Sequence, residues 1–335
     1  MKNRWLLAGW FSLWAFFISL HWGEIPPLLA QTGDAVRVVL PHRVLFDISL
    51  PIYVGKEKGF YEKAGIEVST IFARGGGDQV QILVAGDGDV AIGTGLLATL
   101  SALEKGAPLK IISAEFTGMG DLFWYVKGDS PIKTIDHLAG KKVGFSNPGA
   151  STHMGTLALA EWLKSKGLSE PQLLPAGSPP EQFTAVMTGQ IDGGWSVPPF
   201  FLEEAKKGNI RILLRGDELP GLSDITIRVN MARSDFLRKR PEAMKSFLAA
   251  TKKALDFIFS NPDEAAKIWI KNAKIKEAPE VVKEAWKFYL PKGMVLTPIA
   301  GIDRSLSDAV KFKFVKKPFS REDLNRAIDL SYVPK

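Results

Sequence analysis

Read for hydrophobic and polar periodicity, the chain is a succession of short apolar strands and helix-patterned stretches. The run Val36–Leu40 is a compact strand ended by Pro41, and a polar loop through Asp47 leads to a helix expected to start near Pro51, since proline suits a first helical turn. Gly59 closes that helix and Gly65 opens the strand IEVSTIF, both in keeping with glycine at chain reversals. Arg74 to Asp78 reads as a loop, with Asp78 as the N-cap of the helix QVQILVAG. A strand over residues 90–93 and a helix from Leu96 to Lys105 follow. The pattern then gives strands at Leu109–Ala114 and Asp121–Lys127, a short helical step over 130–140, the strand KKVGFS, the loop NPGAST and a helix to about Lys166. Residues 180–189, 191–195 and 198–207 read as helix, strand and helix, and strands at Arg211–Arg215 and from Ile225 precede a helical tail with starts at Ser234, Pro241, Pro262 and Pro279. Strand–helix alternation of this kind predicts an α/β layer architecture with parallel pairing.

One unit of this pattern occurs twice. Residues around Gly86 and Asp89 run from a helix through Gly-x-x-Asp into a strand, and Gly189 and Asp192 repeat it at an offset of 103 residues. Ile92 of the first copy falls opposite Trp195 of the second. The same unit in each half suggests two similar lobes facing a cleft, the kind of place that holds a small molecule.

Length and composition agree. The 335 residues are comfortable for two domains, and 46% hydrophobic with 24% charged residues excludes a disordered chain. Lys2 and Arg4, the uncharged run Trp5 to Leu20 and the breakers Pro26 and Pro27 form the pattern of a secretory signal peptide, with cleavage expected after Ala30. That apolar run is shorter than the roughly 20 residues a membrane span requires. The absence of cysteine excludes disulfides, thiolate catalysis and zinc–cysteine sites, and leaves no residue for a lipid anchor. A free mature chain in a bacterial periplasm is the expectation. About +6 of the formal +7 charge remains after the leader, scattered except for Lys311, Lys313, Lys316 and Lys317. No nucleic-acid-binding motif accompanies that cluster, so it reads as a solvated basic face.

Two passages, residues 115–125 and 215–226, cross between the halves. They imply a discontinuous first lobe (31–118 and 223–335), an inserted second lobe (119–222) and a hinge at the crossings. The stretches PIYVGKEKGFYEKAGIEV, GDGDVAIGTG, KGAPLKIISA, VKGDSPIKTIDHLAGKKVGFSNPGAST and MTGQIDGGWSVPPF, in that order over residues 36–260, resemble the extracytoplasmic solute-binding proteins of ABC importers, in the nitrate/sulfonate/taurine and pyrimidine-precursor group. The resemblance implies the type II periplasmic-binding-protein fold, with two α/β lobes, two hinge crossings and a helical C-terminal tail. It also implies a monomer that delivers a small-molecule solute to a membrane permease and uses no cofactor. It does not carry the identity of the solute.

Candidate ligand residues follow. The loop Ser146 to Thr152 leads into a helix whose N-terminus suits an anionic or strongly polar group, and Ser146, Ser151 and Thr152 add hydroxyls. The alternative is that Ser151 merely caps its own helix. Thr94 and Gly95 make the corresponding turn in the first half, where glycine admits close backbone approach or simply tight packing. Trp195 offers an aromatic wall, or else an ordinary core tryptophan. In the loop 42–50, matching the family's first ligand loop, Phe46 and Asp47 are favoured, Asp47 for a cationic ligand group. With the anion-friendly helix termini this hints at a zwitterion or a polar heterocycle. Glu115, Phe116 and Asp224 fall at the crossings as hinge or cleft-border residues, and Arg74 beside three glycines is either an anion clamp or a loop cover. Catalytic and metal motifs are missing: His42, His137 and His153 fit no ligand spacing, and there is neither G-x-S-x-G nor a P-loop. The pyrimidine-synthesising enzymes of the same fold need cysteine- and histidine-bearing motifs that this chain lacks. A solute receptor is therefore expected rather than an enzyme, a sensor docking on a membrane kinase remains open, and the missing DNA-binding helices argue against a transcription regulator.

Overall fold

The computed structural model describes residues 34–335, so the expected signal peptide lies outside the described residues. Ten strands are formed: β1 (Asp34–Leu40), β2 (Ile66–Phe72), β3 (Val90–Gly95), β4 (Leu109–Thr117), β5 (Phe123–Lys127), β6 (Lys142–Phe145), β7 (Gln172–Pro175), β8 (Gly194–Ser196), β9 (Ile210–Arg215) and β10 (Thr226–Arg233). One sheet has the order β2-β1-β3-β10-β4, in which β1 runs parallel to both β2 and β3 while β10 is antiparallel to β3 and β4. The remaining strands repeat this arrangement. β6 pairs parallel with β7 and meets the start of β8 through a parallel bridge between Val143 and Gly193, while β5 runs antiparallel between β8 and β9. Each lobe thus has the strand β10 or β5 inserted antiparallel into an otherwise parallel set.

The helices are α1 (Phe46–Glu57), α2 (Phe60–Lys63), α3 (Gly76–Ala85), α4 (Leu96–Glu104), α5 (Ser151–Ser165), α6 (Pro179–Met187) and α7 (Leu202–Lys206), followed by a tail of α8 (Ser234–Lys239), α9 (Pro241–Ser260), α10 (Pro262–Ala273), α11 (Pro279–Lys283), α12 (Ile302–Lys311) and α13 (Arg321–Ala327). The four tail starts fall where the sequence puts them, three of them at a proline in the first helical position. Strand β7, QLLP, carries too few apolar residues to announce itself. The expected start of α1 requires correction: the helix begins at Phe46, and Pro51 sits inside it. Pro51 has no N–H for the Asp47 carbonyl, but Ser49 N already bonds Leu45 O and starts the helix earlier. Residues 46–50 are consequently helical and not part of a ligand loop. Asp78 is likewise not the N-cap of α3; Gly75 is, and Asp78 folds back to accept hydrogen bonds from Arg74 N at 3.2 Å and Arg74 Nε at 3.1 Å.

The 103-residue repeat has a physical cause. Gly86 and Gly189 stand at φ 86° and 74°, where glycine ends α3 and α6 without steric cost. Three residues later the carboxylate of Asp89 accepts the backbone N–H of Arg37 at 2.9 Å, and Asp192 accepts that of Lys142 at 2.9 Å. Each aspartate thereby fixes the strand it precedes to a neighbouring parallel strand, β1 for Asp89 and β6 for Asp192. Gln79 and Gln182, also 103 apart, are both fully buried and donate to strand carbonyls, Gln79 to Val39 O and Ile92 O, Gln182 to Phe145 O.

The chain passes from the first sheet to the second between Thr117 and Phe123, and returns between Arg215 and Thr226. The two passages are tied side by side: Gly118 N donates to Ile225 O at 2.8 Å, and the hydroxyls of Thr117 and Thr226 lie 2.9 Å apart. Asp224 is an exposed turn residue beside them. The tail packs on the first lobe, where α9 and α10 cover α1, Trp269 Nε1 bonds Val44 O at 2.9 Å, and Ile328 bridges back to Ile111 on the edge strand β4.

Candidate functional site

A cleft of about 730 Å³ lies between the two sheets. The first lobe contributes His42, Asp47, the Arg74–Asp78 turn, Gly93, Gly95 and Arg228; the second contributes Ser146 to Thr152, Ser178, Glu181, Trp195 and Val197, with Asp121 from the first crossing. Two helices of substantial length, α3 and α5, open their N-termini on this space, and neither receives a side-chain cap. Their first-turn N–H groups favour an anionic or strongly polar ligand group. The third N-terminus, that of α6, is already satisfied: Glu181 accepts from Ser178 N at 2.6 Å and Ser178 Oγ at 2.7 Å. Those bonds hold the Glu181 carboxyl below the usual carboxylate range.

The floor is built from charges far apart in sequence. Arg228, on β10, is 5% exposed and lies among three carboxyl groups that are no more exposed than 6%. Its Nε donates to Glu115 Oε2 at 3.1 Å and its Nη2 to Asp121 Oδ2 at 2.7 Å, while Asp47 Oδ2 lies 2.7 Å from Nη2. Nη1 reaches across the cleft to Ser151 Oγ at 3.3 Å, and the guanidinium rests 4.6 Å over the ring of Phe116. Burial opposes the Arg228 charge, but Asp121, Asp47 and Glu115 outweigh it and hold the guanidinium firmly protonated. Burial, reinforced by the nearby Asp47 charge, pushes Glu115 well above its ordinary value, and burial raises Asp121 to about 6 against the opposing pull of Arg228.

The residues expected to meet ligand divide into groups. Asp47, Gly95, Ser146, Ser151, Thr152 and Trp195 all line the cleft. Thr152 is occupied by its own loop, accepting from Ser146 N at 3.0 Å and lying 2.6 Å from Ser146 Oγ. Ser151 does not cap its helix but accepts from Arg228. Trp195 is 6% exposed and its Nε1–H has no acceptor. Two expected residues point elsewhere. Phe46 is fully buried and stacks on Tyr289 at 4.3 Å within a cluster that includes Trp269 and Trp286, because the early start of α1 turns it toward the tail helices. Thr94 is also fully buried, its hydroxyl donating to Gln79 Oε1 at 3.0 Å. Glu115 and Phe116 belong to the Arg228 cluster rather than to a free border. Arg74 is almost wholly exposed and paired with Asp78 at 3.1 Å, so it stands at the mouth. Sequence reading missed Arg228 and Asp121. The available signal was Arg228 itself, the single charge within a strand segment, Thr226 to Ala232, that is buried throughout.

Across the rim the lobes touch. Ala98 N donates to Gly149 O at 3.3 Å, and a methyl group built on Gly95 would stand 2.7 Å from that same oxygen. Lys311 pairs with Glu161, and Lys206 with Glu284, on the outer surface. The histidines at the site are engaged: Nδ1 of His42 accepts from Val44 N and Nδ1 of His153 from Gly149 N, and burial keeps both rings below their ordinary pKa. Among the described residues no group of three or more His, Asp or Glu side chains is placed to hold a metal ion, and no helix is long and apolar enough to cross a membrane.

A sequence model described as NMT1/THI5 like matches residues 48–265, well over half of the chain. The chain belongs to the NMT1/THI5-like family. Within it, a 4-amino-5-hydroxymethyl-2-methylpyrimidine phosphate synthase of Saccharomyces cerevisiae is 24% identical over 245 residues, a match covering 66% of this chain and 66% of the yeast protein, just under two thirds of its length. A Brucella abortus protein named as a binding protein is 28% identical over 228 residues, covering 67% of this chain and 68% of its own. Among solved structures, the alkanesulfonate-binding protein SsuA of Xanthomonas axonopodis pv. citri, bound to MOPS, superposes with a TM-score of 0.71 at 18% identity, over 88% of this chain and 98% of that one. The fold of this family member is thus that of the periplasmic binding proteins, with two α/β lobes and two crossings.

Proposed function

We propose that this chain is a periplasmic solute-binding protein that delivers a small polar organic or anionic solute, of the sulfonate, taurine, nitrate or pyrimidine type, to an ABC permease. The observation that carries the reading is the cleft: two uncapped helix N-termini face it from opposite lobes, and its floor holds three buried carboxyl groups around one guanidinium. Such a space favours a molecule with an anionic end toward α3 and α5 and a donor or cationic end toward Asp47 and Asp121. Trp195 suits the flat or apolar body between them. The periplasmic setting is supported by the fold it shares with sulfonate-binding periplasmic proteins and by the leader pattern of residues 1–30. A monomer and a permease partner fit the same reading.

The second reading, a pyrimidine-precursor synthase, is favoured by the likeness to the yeast enzyme. Against it stand the missing cysteine-bearing motifs and the engagement of His42 at the cleft and of His153 behind it, whose Nδ1 atoms are taken by backbone N–H groups. Mass spectrometry of the small molecule released on denaturing the purified protein separates the two. A solute returned unchanged, which rebinds stoichiometrically and stabilises the refolded protein, is the expected result. A released molecule that differs from the one loaded would replace the receptor by an enzyme.

A further inference from the structure

The charge balance at the cleft floor does not close with ionised groups alone. Three carboxyl groups of α1, β4 and the first crossing surround one guanidinium of β10, and all four side chains are at least nine-tenths buried. Fully ionised, the cluster would carry two uncompensated negative charges in a site where burial makes charge expensive. Among the described residues, the hydroxyls of Ser151 from α5 and Tyr289 from the tail also face it. Neither supplies a positive charge, and Tyr289 Oη has no hydrogen-bond partner. Glu115 Oε1 and Asp121 Oδ1 lack a hydrogen-bond donor, Asp47 Oδ2 meets Arg228 Nη2 at 2.7 Å, and the Glu115 and Asp47 carboxyl groups lie within hydrogen-bonding reach of one another. Three carboxyl groups gathered on one guanidinium, two of them adjacent, form a stable arrangement when the adjacent pair holds one proton.

The cluster also sits where the lobes move. Asp121 lies on the first crossing, Ser151 belongs to the opposite lobe, and Asp47, Asp121 and Arg228 line the cleft. We propose that closure of the cleft is coupled to uptake of a proton shared by Asp47 and Glu115, so that solute capture strengthens as the surroundings become more acidic. One proton leaves a single negative charge for the donor end of the solute. Opening admits water, lets Glu115 and Asp121 return toward ordinary values near 4, and releases the proton. The sign follows from the direction of the shifts. Glu115 is raised, and Asp121 is raised to about 6. The closed form therefore gains most below the ordinary carboxylate range, and the gain fades as pH rises through about 6 for Asp121 and through the raised range of Glu115. The coupling to capture rests on the binding-protein reading, whereas the shared proton does not.

Two measurements on the solute-free mature chain test this. In infrared difference spectra at about pH 7, the wild type should show the carbonyl stretch of a protonated carboxylic acid, shifted in heavy water and abolished in Glu115→Gln. In small-angle scattering between about pH 8.5 and pH 5, the wild type should contract, and Glu115→Gln, permanently neutral, should contract markedly less, with Asp121 alone left to titrate. Asp47→Asn provides the same test should Glu115→Gln not fold. A spectrum without the acid band, a band indifferent to both substitutions, or a wild-type size independent of pH would each overturn the proposal. Neither measurement uses a solute, so its failure is distinguishable from failure of the transport reading.

Discussion

Gly95 offers the sharpest test of how the lobes meet. Its φ is −56°, an angle any residue adopts, so alanine there carries no backbone strain of its own. In this structure, however, the added methyl would stand 2.7 Å from Gly149 O and 3.1 Å from Ala150 Cα and Ser151 N, all backbone atoms of the opposite lobe. Backbone cannot step aside as a flexible side chain can, so the lobes must separate by several tenths of an ångström. Overpacking of that kind costs about 1–3 kcal/mol. Here the cost falls on closure alone, and solute affinity should drop by roughly 5- to 150-fold. Stability of the solute-free protein should be unchanged or rise by up to about 1 kcal/mol, because alanine restricts the unfolded chain. Titration calorimetry of Gly95→Ala with the released solute measures the affinity, and small-angle scattering of the unliganded variant should show a wider molecule. A variant that folds, keeps wild-type affinity and scatters like the wild type would refute the claim that this lobe contact accompanies solute capture.

Further outcomes follow from the same contacts. Arg228→Met leaves three buried carboxyl groups without their cation and should destabilise the protein by about 3–5 kcal/mol near neutral pH, a melting-temperature loss of roughly 5–8 °C for a chain of this size. The loss should shrink near pH 5, where Glu115 and Asp121, both raised by burial, take up protons; an equal loss at acid and alkaline pH would contradict the cluster's role. Trp195→Phe keeps the ring and removes the unpaired N–H, so affinity falling about tenfold or more assigns that N–H to the solute, whereas unchanged calorimetric affinity leaves only packing. Thr94→Val should cost about 1–2 kcal/mol in chemical denaturation by orphaning Gln79 Oε1.

Periodicity made most of the fold legible, because amphipathic helices and apolar strands carry their signal locally. The Gly-x-x-Asp repeat went further, since glycine at positive φ and an aspartate holding the neighbouring strand are requirements of the turn itself. What failed was anything decided by distant partners. Phe46 looked like a loop residue because Pro51 looked like a helix start; the register of α1 depends on tail helices two hundred residues away. Thr94 reads as part of a ligand-facing turn because nothing local announces Gln79 as the acceptor of its hydroxyl. Arg228 and Asp121 were missed because the cluster draws on positions 47, 115, 121, 151 and 228, which no window of sequence contains together.

The placement of β10 has a consequence for how the molecule is made. The first sheet needs this strand between β3 and β4, yet the chain reaches it only after the whole second sheet has been laid down, β9 ending at Arg215 and β10 starting at Thr226. During synthesis from the N-terminus, the second lobe has all of its strands while the first still has a gap in its middle. Long-range pairing of this kind is slow, and segments whose partners are present fold first. The inserted lobe is thus the one equipped to form early, and the first lobe completes itself around the returning strand. The strand that places Arg228 at the cleft floor is therefore also the piece that closes the first sheet, so the cleft floor and the completed first sheet arrive in the same event.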